Sequence, residues 1–218
     1  DYFKVPIIIL KLFRDIFYAF SIISIAVLSV LNTTIVYRYV IDKYELEKYT
    51  LLSKDVLMDN YERVISYVQN PFNHELVLNS LPMSEFGKIH FFEVKRIFIA
   101  LYIFGIIFII IMIWKIVMNK RRDLWKKLIE SFNRCVNIIA VIFLSISIMM
   151  MINFSKAFYF FHKIFFRNDY WIFDPNKDPI INALPEELFM IEAILIIILL
   201  LTFIVVIKIL YLKNKKVK

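Results

Sequence analysis

The sequence predicts an all-α membrane protein, with four transmembrane helices and a mostly helical extracellular cap. Its composition is the first reason: 61% of the 218 residues are apolar, only 21% are charged, and the mean hydropathy is +0.69. A soluble domain is nearer half apolar, so one soluble core could not bury this much apolar surface. The other two reasons are four long apolar runs and the placement of the basic residues.

Each apolar run is long enough to cross a bilayer, because about 20 helical residues span ~30 Å of hydrocarbon. The first exceeds the roughly 7 to 15 apolar residues of a signal peptide, so we expect it to be retained as a span. The predicted segments are an arm with the first span (1–36, apolar from 16), cap segment 1 (37–96), the second span (97–117), a basic loop (118–135), the third span (136–154), cap segment 2 (155–187), and the fourth span with a basic tail (188–218).

Basic residues orient the spans. Lys and Arg concentrate in the N-terminal arm, in the predicted loop 118–135 and in the C-terminal tail, whereas 37–95 has seven basic and nine acidic residues and 155–187 has four and five. Short basic loops stay in the cytoplasm. We therefore expect both termini inside and both cap segments outside. The net charge of +8 reflects this topology and attraction to anionic lipid, so we expect no nucleic acid partner.

Cap segment 1 predicts two helices. Ser53 can cap the first, in which Leu57, Tyr61, Val64, Ile65 and Val68 recur at helical spacing, and Asn70-Pro71 ends it. Residues 75–78 suit a strand or an extended loop. Ser84 can cap a second helix that continues into the second span.

Cap segment 2 is rich in aromatic residues from 158 to 173, which suits either an ordinary interfacial belt or a pocket for acyl and glyceryl groups. Asp174-Pro175 and Asp178-Pro179 predict turns. Pro185 followed by Glu186 and Glu187 predicts the start of a helix.

Several chemistries are excluded by counts alone. The chain has two glycines and one cysteine, which argues against a glycine-rich phosphate loop, an internal disulfide and a cysteine zinc site. It contains neither His-Glu-x-x-His nor Gly-x-Ser-x-Gly. We expect no metal and no cofactor.

Histidine is the best candidate for chemistry. His90 lies seven residues before the second span, and His162 lies a comparable distance after the third, so both are expected at the same outer depth. Imidazole can accept and return a proton near neutral pH. The alternative is that both rings simply lie among lipid headgroups.

Nearby acids extend this hypothesis. Glu93 and Asp169 could orient the imidazoles or could be solvated. Glu192, one turn inside the fourth span, should have a protein partner, and Lys95 or Arg96 are the expected ones.

Two motifs carry a family resemblance. His90-Phe91-Phe92-Glu93-Val94-Lys95, preceded by Tyr61-x-x-Val64-Ile65-x-Tyr67, resembles the His-x-x-Asp-Val-Lys element of the lipoprotein intramolecular transacylase (Lit) family. Phe161-His162-x-x-x-Phe166-x-Asn168-Asp169-x-Trp171 resembles that family's second signature. The likeness covers nearly the whole chain, and Glu93 departs from it by standing where Asp is expected.

The resemblance implies an outer-leaflet acyltransferase. Its substrate would be a diacylglyceryl lipoprotein in membrane lipid, whose sn-2 acyl chain moves to the α-amine of its own N-terminal cysteine and leaves the lyso form. By position, His90 and His162 would be catalytic. The residues implied to bind substrate or support the histidines are Glu93, Lys95, Asn168, Asp169, Trp171, Phe166 and Tyr61.

Two other classes of protein are alternatives to the enzyme. A membrane sensor or accessory subunit with a ligand-binding outer cap would not need either histidine. A transporter would be expected to have broken helices and paired half-repeats, which these spans lack.

Overall fold

In a computed structural model, the described part of the chain, residues 4–118 and 122–216, is helical and contains no strand. It falls into two compact units. Its helices are α1 (Lys4–Leu31), α2 (Ile35–Lys43), α3 (Leu46–Thr50), α4 (Lys54–Gln69), α5 (Glu85–Met118), α6 (Arg122–Ile152), α7 (Phe154–Phe165), α8 (Ile180–Ala183) and α9 (Glu186–Lys216).

Four of these helices, α1, α5, α6 and α9, are long and apolar enough to cross a membrane. The helical stretches that meet this criterion of length and composition are Ile8–Leu31, Glu85–Met118, Leu124–Ile152 and Glu186–Lys215. The predicted fold class, an all-α membrane protein with four transmembrane helices, is therefore confirmed.

The first helix differs from its predicted bounds. It begins before residue 16, and it ends at Leu31 instead of residue 36. The side chains beyond Leu31 explain the end: Asn32 Nδ2 donates to the Leu28 carbonyl at 2.8 Å, and Thr33 Oγ1 donates to the Ser29 carbonyl at 2.9 Å. Short polar side chains that bond the preceding turn favour the end of a helix over its continuation.

The predicted basic loop 118–135 is largely helical, since α6 begins at Arg122. The apolar pattern of the helix continues through the basic stretch at Trp125, Leu128 and Phe132. A prediction based on the charged residues alone missed this pattern. Lys120 and Arg121 of the predicted loop, and Lys218 of the predicted tail, lie outside the described residues.

The first unit contains the described residues of 4–27, 101–148 and 196–216. Its core packs Tyr18 and Ile22 of α1 with Phe108 of α5, Ile139 of α6 and Leu200 of α9. A buried carboxylate, Asp15, is bonded within it by Ser131 Oγ at 2.6 Å, Arg134 Nε at 2.5 Å and Arg14 at 2.8 Å.

The second unit contains residues 28–100 and 149–195. Its buried core includes Tyr37, Leu57, Val68, Ile180 and Leu188. The predicted helix after Ser53 is α4, and it ends at Asn70 as expected. Ser53 makes no side-chain capping bond; Glu47 Oε1 instead accepts from the Lys54 backbone N–H at 2.8 Å. Residues 75–78 form a loop and not a strand.

The start of α5 is fixed by a capping cluster in the second unit. Gly87 N–H donates to Ser84 Oγ at 3.1 Å, which confirms Ser84 as the predicted cap. Asp178 accepts from the Ser84 backbone at 2.7 Å and from its hydroxyl at 2.6 Å. Asp178 approaches so closely that a Cβ atom on Gly87 would overlap its carboxylate. From this cap α5 runs 34 residues without a break, so the helix continues into the second span as predicted.

Candidate active site

Two buried histidines lie together in the second unit. His90 comes from the second turn of α5 and His162 from α7, and their ring centroids are 6.0 Å apart. His90 is 7% exposed and His162 8%, so neither ring lies in open solvent among headgroups. The expectation that sequence position would place them at one site is confirmed.

His162 has a defined hydrogen-bond partner. Its Nδ1 lies 2.8 Å from the carbonyl oxygen of Phe158, one turn earlier in α7. A carbonyl can only accept, so Nδ1 carries the proton, and in the neutral ring Nε2 has the free lone pair. Burial lowers the pKa of His162 below its ordinary value, partly opposed by the Phe158 bond. The imidazole ring of His162 is therefore neutral at pH 7.

Aromatic side chains surround both imidazoles. Trp171 stacks on His162 with ring centroids 4.5 Å apart and planes 27° from parallel. Buried Phe166 contacts both rings, at 4.8 Å from His90 and 5.6 Å from His162. The other aromatic rings against the pair are Phe158 at 4.3 Å and Phe161 at 5.5 Å from His162, and Phe173 at 5.5 Å and Phe91 at 5.9 Å from His90.

Asn168 connects α5 with the loop that carries Trp171. Its Nδ2 donates to Glu93 Oε1 at 2.8 Å, and its Oδ1 accepts from the Tyr170 backbone at 3.1 Å. Its backbone carbonyl accepts from the Trp171 indole N–H at 3.1 Å. Asn168 thus positions both Glu93 and the indole that covers His162.

Two polar atoms of this site are buried without a partner among the described residues: His90 Nδ1 and Glu93 Oε2. The sequence suggested that Glu93 could orient the imidazole of His90. Because neither of these two atoms has a partner, Glu93 does not have that role. An unpaired buried donor or acceptor costs about 1 to 3 kcal/mol. Because buried polar atoms in folded proteins are normally hydrogen-bonded, each of these two atoms calls for an explanation.

The other predicted site residues lie elsewhere in the second unit. Lys95 is buried, bonds the Asn73 carbonyl and lies over the Tyr67 ring at 4.5 Å, which ties the loop after α4 to α5. Asp169 is exposed and pairs with Lys163, so it is solvated and does not orient a histidine.

Glu192 does not pair with Lys95 or Arg96, which corrects the sequence expectation. Its Oε1 accepts from the Tyr61 hydroxyl at 3.1 Å. Burial raises the pKa of Tyr61, and the adjacent carboxylate raises it further. Tyr61 also stacks on Tyr37 at 4.2 Å, so its role is to pack α4 against α2 and α9.

Sequence analysis did not single out Phe158 as the residue that fixes the tautomer of His162. The i, i+4 spacing of Phe158 and His162 was visible, but a backbone acceptor has no residue-type signal. Within the described residues, no group of His, Cys, Asp and Glu is arranged to hold a metal ion.

The fold and the site define a multi-pass membrane protein with a buried pair of histidines packed against aromatic side chains. Comparison with known proteins gives the family. The profile of the family described as lipoprotein intramolecular transacylase Lit matches residues 12–189, and the chain belongs to this family. It is accordingly an acyltransferase that acts on a lipoprotein.

Solved structures agree. The chain is similar to the membrane integral lipoprotein intramolecular transacylase Lit from Bacillus cereus, with 30% identity over 96% of this chain and 97% of that one and a TM-score of 0.81. Two further structures of the Bacillus cereus protein carry a histidine substitution. The arginine variant is 32% identical over 99% of this chain and 96% of that one, with a TM-score of 0.77. The alanine variant is 31% identical over 100% of this chain and 99% of that one, with a TM-score of 0.73. No curated protein sequence gave a significant match.

Proposed function

We propose that His90 and His162 together catalyse transfer of the sn-2 acyl chain of a diacylglyceryl lipoprotein to the α-amine of its own N-terminal cysteine. The observation that carries the proposal is the buried pair, 6.0 Å apart, with the lone pair of His162 Nε2 free. Histidine variants among the solved relatives are consistent with a histidine-dependent reaction.

His162 is the base. The substrate α-amine has an ordinary pKa of about 7.7 to 8.0, so it arrives largely protonated at pH 7. Nε2 accepts one proton, and the neutral nitrogen attacks the ester carbonyl carbon. The Phe158 carbonyl holds Nδ1 and so keeps Nε2 directed away from the α7 backbone.

His90 acts on the oxygens of the reaction. Attack forms the C–N bond and moves the carbonyl electron pair onto oxygen, and the oxyanion then collapses with cleavage of the bond to the glyceryl oxygen. The proton that the attacking nitrogen loses at this stage is transferred to the glyceryl oxygen. A buried imidazole that lacks a partner at Nδ1 can stabilise the oxyanion or deliver this proton.

The aromatic walls supply positioning. Amine and ester belong to one flexible lipid, so the barrier includes the entropy of bringing them together. Substrate acyl and glyceryl groups held against Trp171, Phe166 and Phe173, the aromatic side chains beside the histidines, would lose part of that freedom on binding, which reduces the entropic cost of the reaction step.

We also propose that the site faces the outer leaflet, with both termini in the cytoplasm. The basic residues flanking the spans support this orientation. In a Cys135→Ser background, Asn79→Cys should react with a membrane-impermeant maleimide in intact cells. Labelling only after lysis would contradict the orientation.

The reaction is tested by tandem mass spectrometry of a lipoprotein's N-terminal lipopeptide, in a host that makes only the diacylglyceryl form. Wild type should move one acyl chain to the amine. His90→Asn and His162→Asn should each lower turnover by roughly 10² to 10⁴, while His74→Asn, an exposed histidine of the same unit, should behave as wild type. An unchanged diacylglyceryl terminus with well-expressed wild type would contradict the proposal.

A further inference from the structure

We propose that Glu93 is the receptor for the substrate's α-ammonium group, and that its Oε2 atom holds the acceptor nitrogen before His162 deprotonates it. This inference rests on the proposed function, because it names the residue that binds the reacting amine. It makes Glu93 the residue that selects a lipoprotein with a free amino terminus.

The geometry of Glu93 is that of a half-satisfied carboxylate. Asn168 Nδ2 fixes Oε1 at 2.8 Å, which leaves the carboxylate little freedom to turn. Oε2 is buried and has no partner among the residues that the structure describes. A carboxylate oxygen only accepts, so the missing group is a donor.

The substrate offers a donor suited to this position. The ester and glyceryl parts around the sn-2 chain carry no N–H, whereas an α-ammonium has three N–H donors and a positive charge. A charge-assisted bond to a buried carboxylate is about twice as strong as a neutral one. A peptide N–H could also donate, but it would leave the charge of Glu93 unbalanced.

Placement on α5 brings this oxygen to the histidines. Glu93 lies one turn after His90, and residues three apart share a helix face. Asn168 in turn holds Trp171 against His162. An ammonium on Glu93 Oε2 would lie on the same face of α5 as His90, and in this proposal it gives one proton to His162 Nε2 while keeping its bond to Glu93.

This role differs from the orienting role suggested by the sequence. A Glu93 that oriented His90 would bond the imidazole, yet His90 Nδ1 and Glu93 Oε2 are both unpaired. Both atoms are instead available to substrate. Glu93 is then a binding residue that takes no part in bond making or bond breaking.

The test compares two unreactive ligands at pH 7: a dialkylglyceryl cysteinyl peptide, whose ether links cannot transfer, and the same molecule without its α-amine. Wild type should bind the amine form at least about tenfold more tightly. Glu93→Gln preserves the shape but replaces the acceptor with a donor, so the ratio should fall to within about twofold. A purely structural defect would weaken both ligands equally.

Glu85→Gln is the matched control, since Glu85 lies on the same helix with an 83% exposed side chain. It should keep the wild-type ratio. An unchanged ratio in Glu93→Gln would overturn the inference. A wild-type ratio below about twofold would also overturn it, and that measurement does not depend on any variant folding correctly. Failure of wild type to transfer an acyl chain in the mass spectrometry experiment would instead overturn the proposed function.

Discussion

The Asp15 cluster of the first unit and the histidine site of the second unit differ in how their buried polar groups are hydrogen-bonded. In the first unit Asp15 is enclosed by donors from Ser131, Arg134 and Arg14, so its charge is compensated. In the second unit His90 Nδ1, Glu93 Oε2 and Asn60 Oδ1 are buried without partners among the described residues. Compensated groups stabilise a fold, whereas uncompensated ones retain free energy that a ligand can recover on binding.

The aromatic residues of the two units also differ in what they pack against. In the first unit Tyr18 packs against Phe108 at 5.4 Å and Phe132 at 5.8 Å, which fills an apolar core. In the second unit Phe166 and Trp171 pack against imidazoles. Aromatic side chains therefore fill an apolar core in the first unit and enclose two imidazole rings in the second.

The largest expected effect tests the compensated side of this comparison. Asp15→Ala removes the acceptor of three donors and leaves Arg134 without its partner, so it should destabilise the protein by about 2 to 3 kcal/mol. Thermal unfolding in detergent should show a lower Tm, while acyl transfer below that temperature persists. A Tm equal to that of wild type would show that the cluster does not stabilise the first unit.

A smaller effect compares the two glycines of the chain. Gly87→Ala places a methyl group into the Asp178 carboxylate and disturbs the cap of α5, with an expected loss of about 1 to 2 kcal/mol.

Gly105 of the first unit is the matched position. Its added Cβ would lie 3.7 Å from Ile25 Cγ1, an ordinary contact, so Gly105→Ala should be neutral or stabilise the helix by up to about 1 kcal/mol. Equal Tm changes for the two alanine variants would refute the assigned close approach at Gly87.

The smallest effect is on pH dependence. His162, the proposed general base, must be neutral to accept a proton, and burial lowers its pKa. Activity should therefore persist below the ordinary histidine value of about 6.5 and fall only as the pH drops through the lower folded value. Trp171→Ala exposes the ring, so the acid limb of kcat should move up towards 6.5. Trp125→Ala in the first unit should leave the acid limb of kcat at its wild-type pH. An acid limb at or above pH 6.5 in the wild type would contradict the assignment of His162 as the base.

Local and compositional signals were enough for much of the fold. Length and hydropathy located four spans, because the bilayer imposes the same requirement on any sequence. Ser84, Asn70-Pro71 and Pro185-Glu186 marked helix ends correctly, since caps and breakers act over a few residues. The error at residues 32–36 arose because three polar residues in an apolar run change the mean hydropathy little and yet end the helix.

The site was only partly predictable. Span order was enough to bring His90 and His162 together, because topology fixes which helix ends share a side. The partners of Glu192 and Lys95 were not predictable, since a buried tyrosine hydroxyl and a backbone carbonyl compete with opposite charges for them. The unpaired oxygen of Glu93 depends on which way Asn168 turns one amide, and no spacing rule reports that.

Asn168 also has an evolutionary consequence. One residue uses its amide nitrogen for Glu93, its amide oxygen for Tyr170 and its carbonyl for Trp171. A relative with the shorter aspartate at position 93 must bring the loop of Asn168 about one methylene nearer to α5 or lose the bond. Because this chain has Glu at position 93 and still keeps the Asn168 and Trp171 of the family signature, relatives with aspartate are expected to differ in the position of this loop and not in its residues.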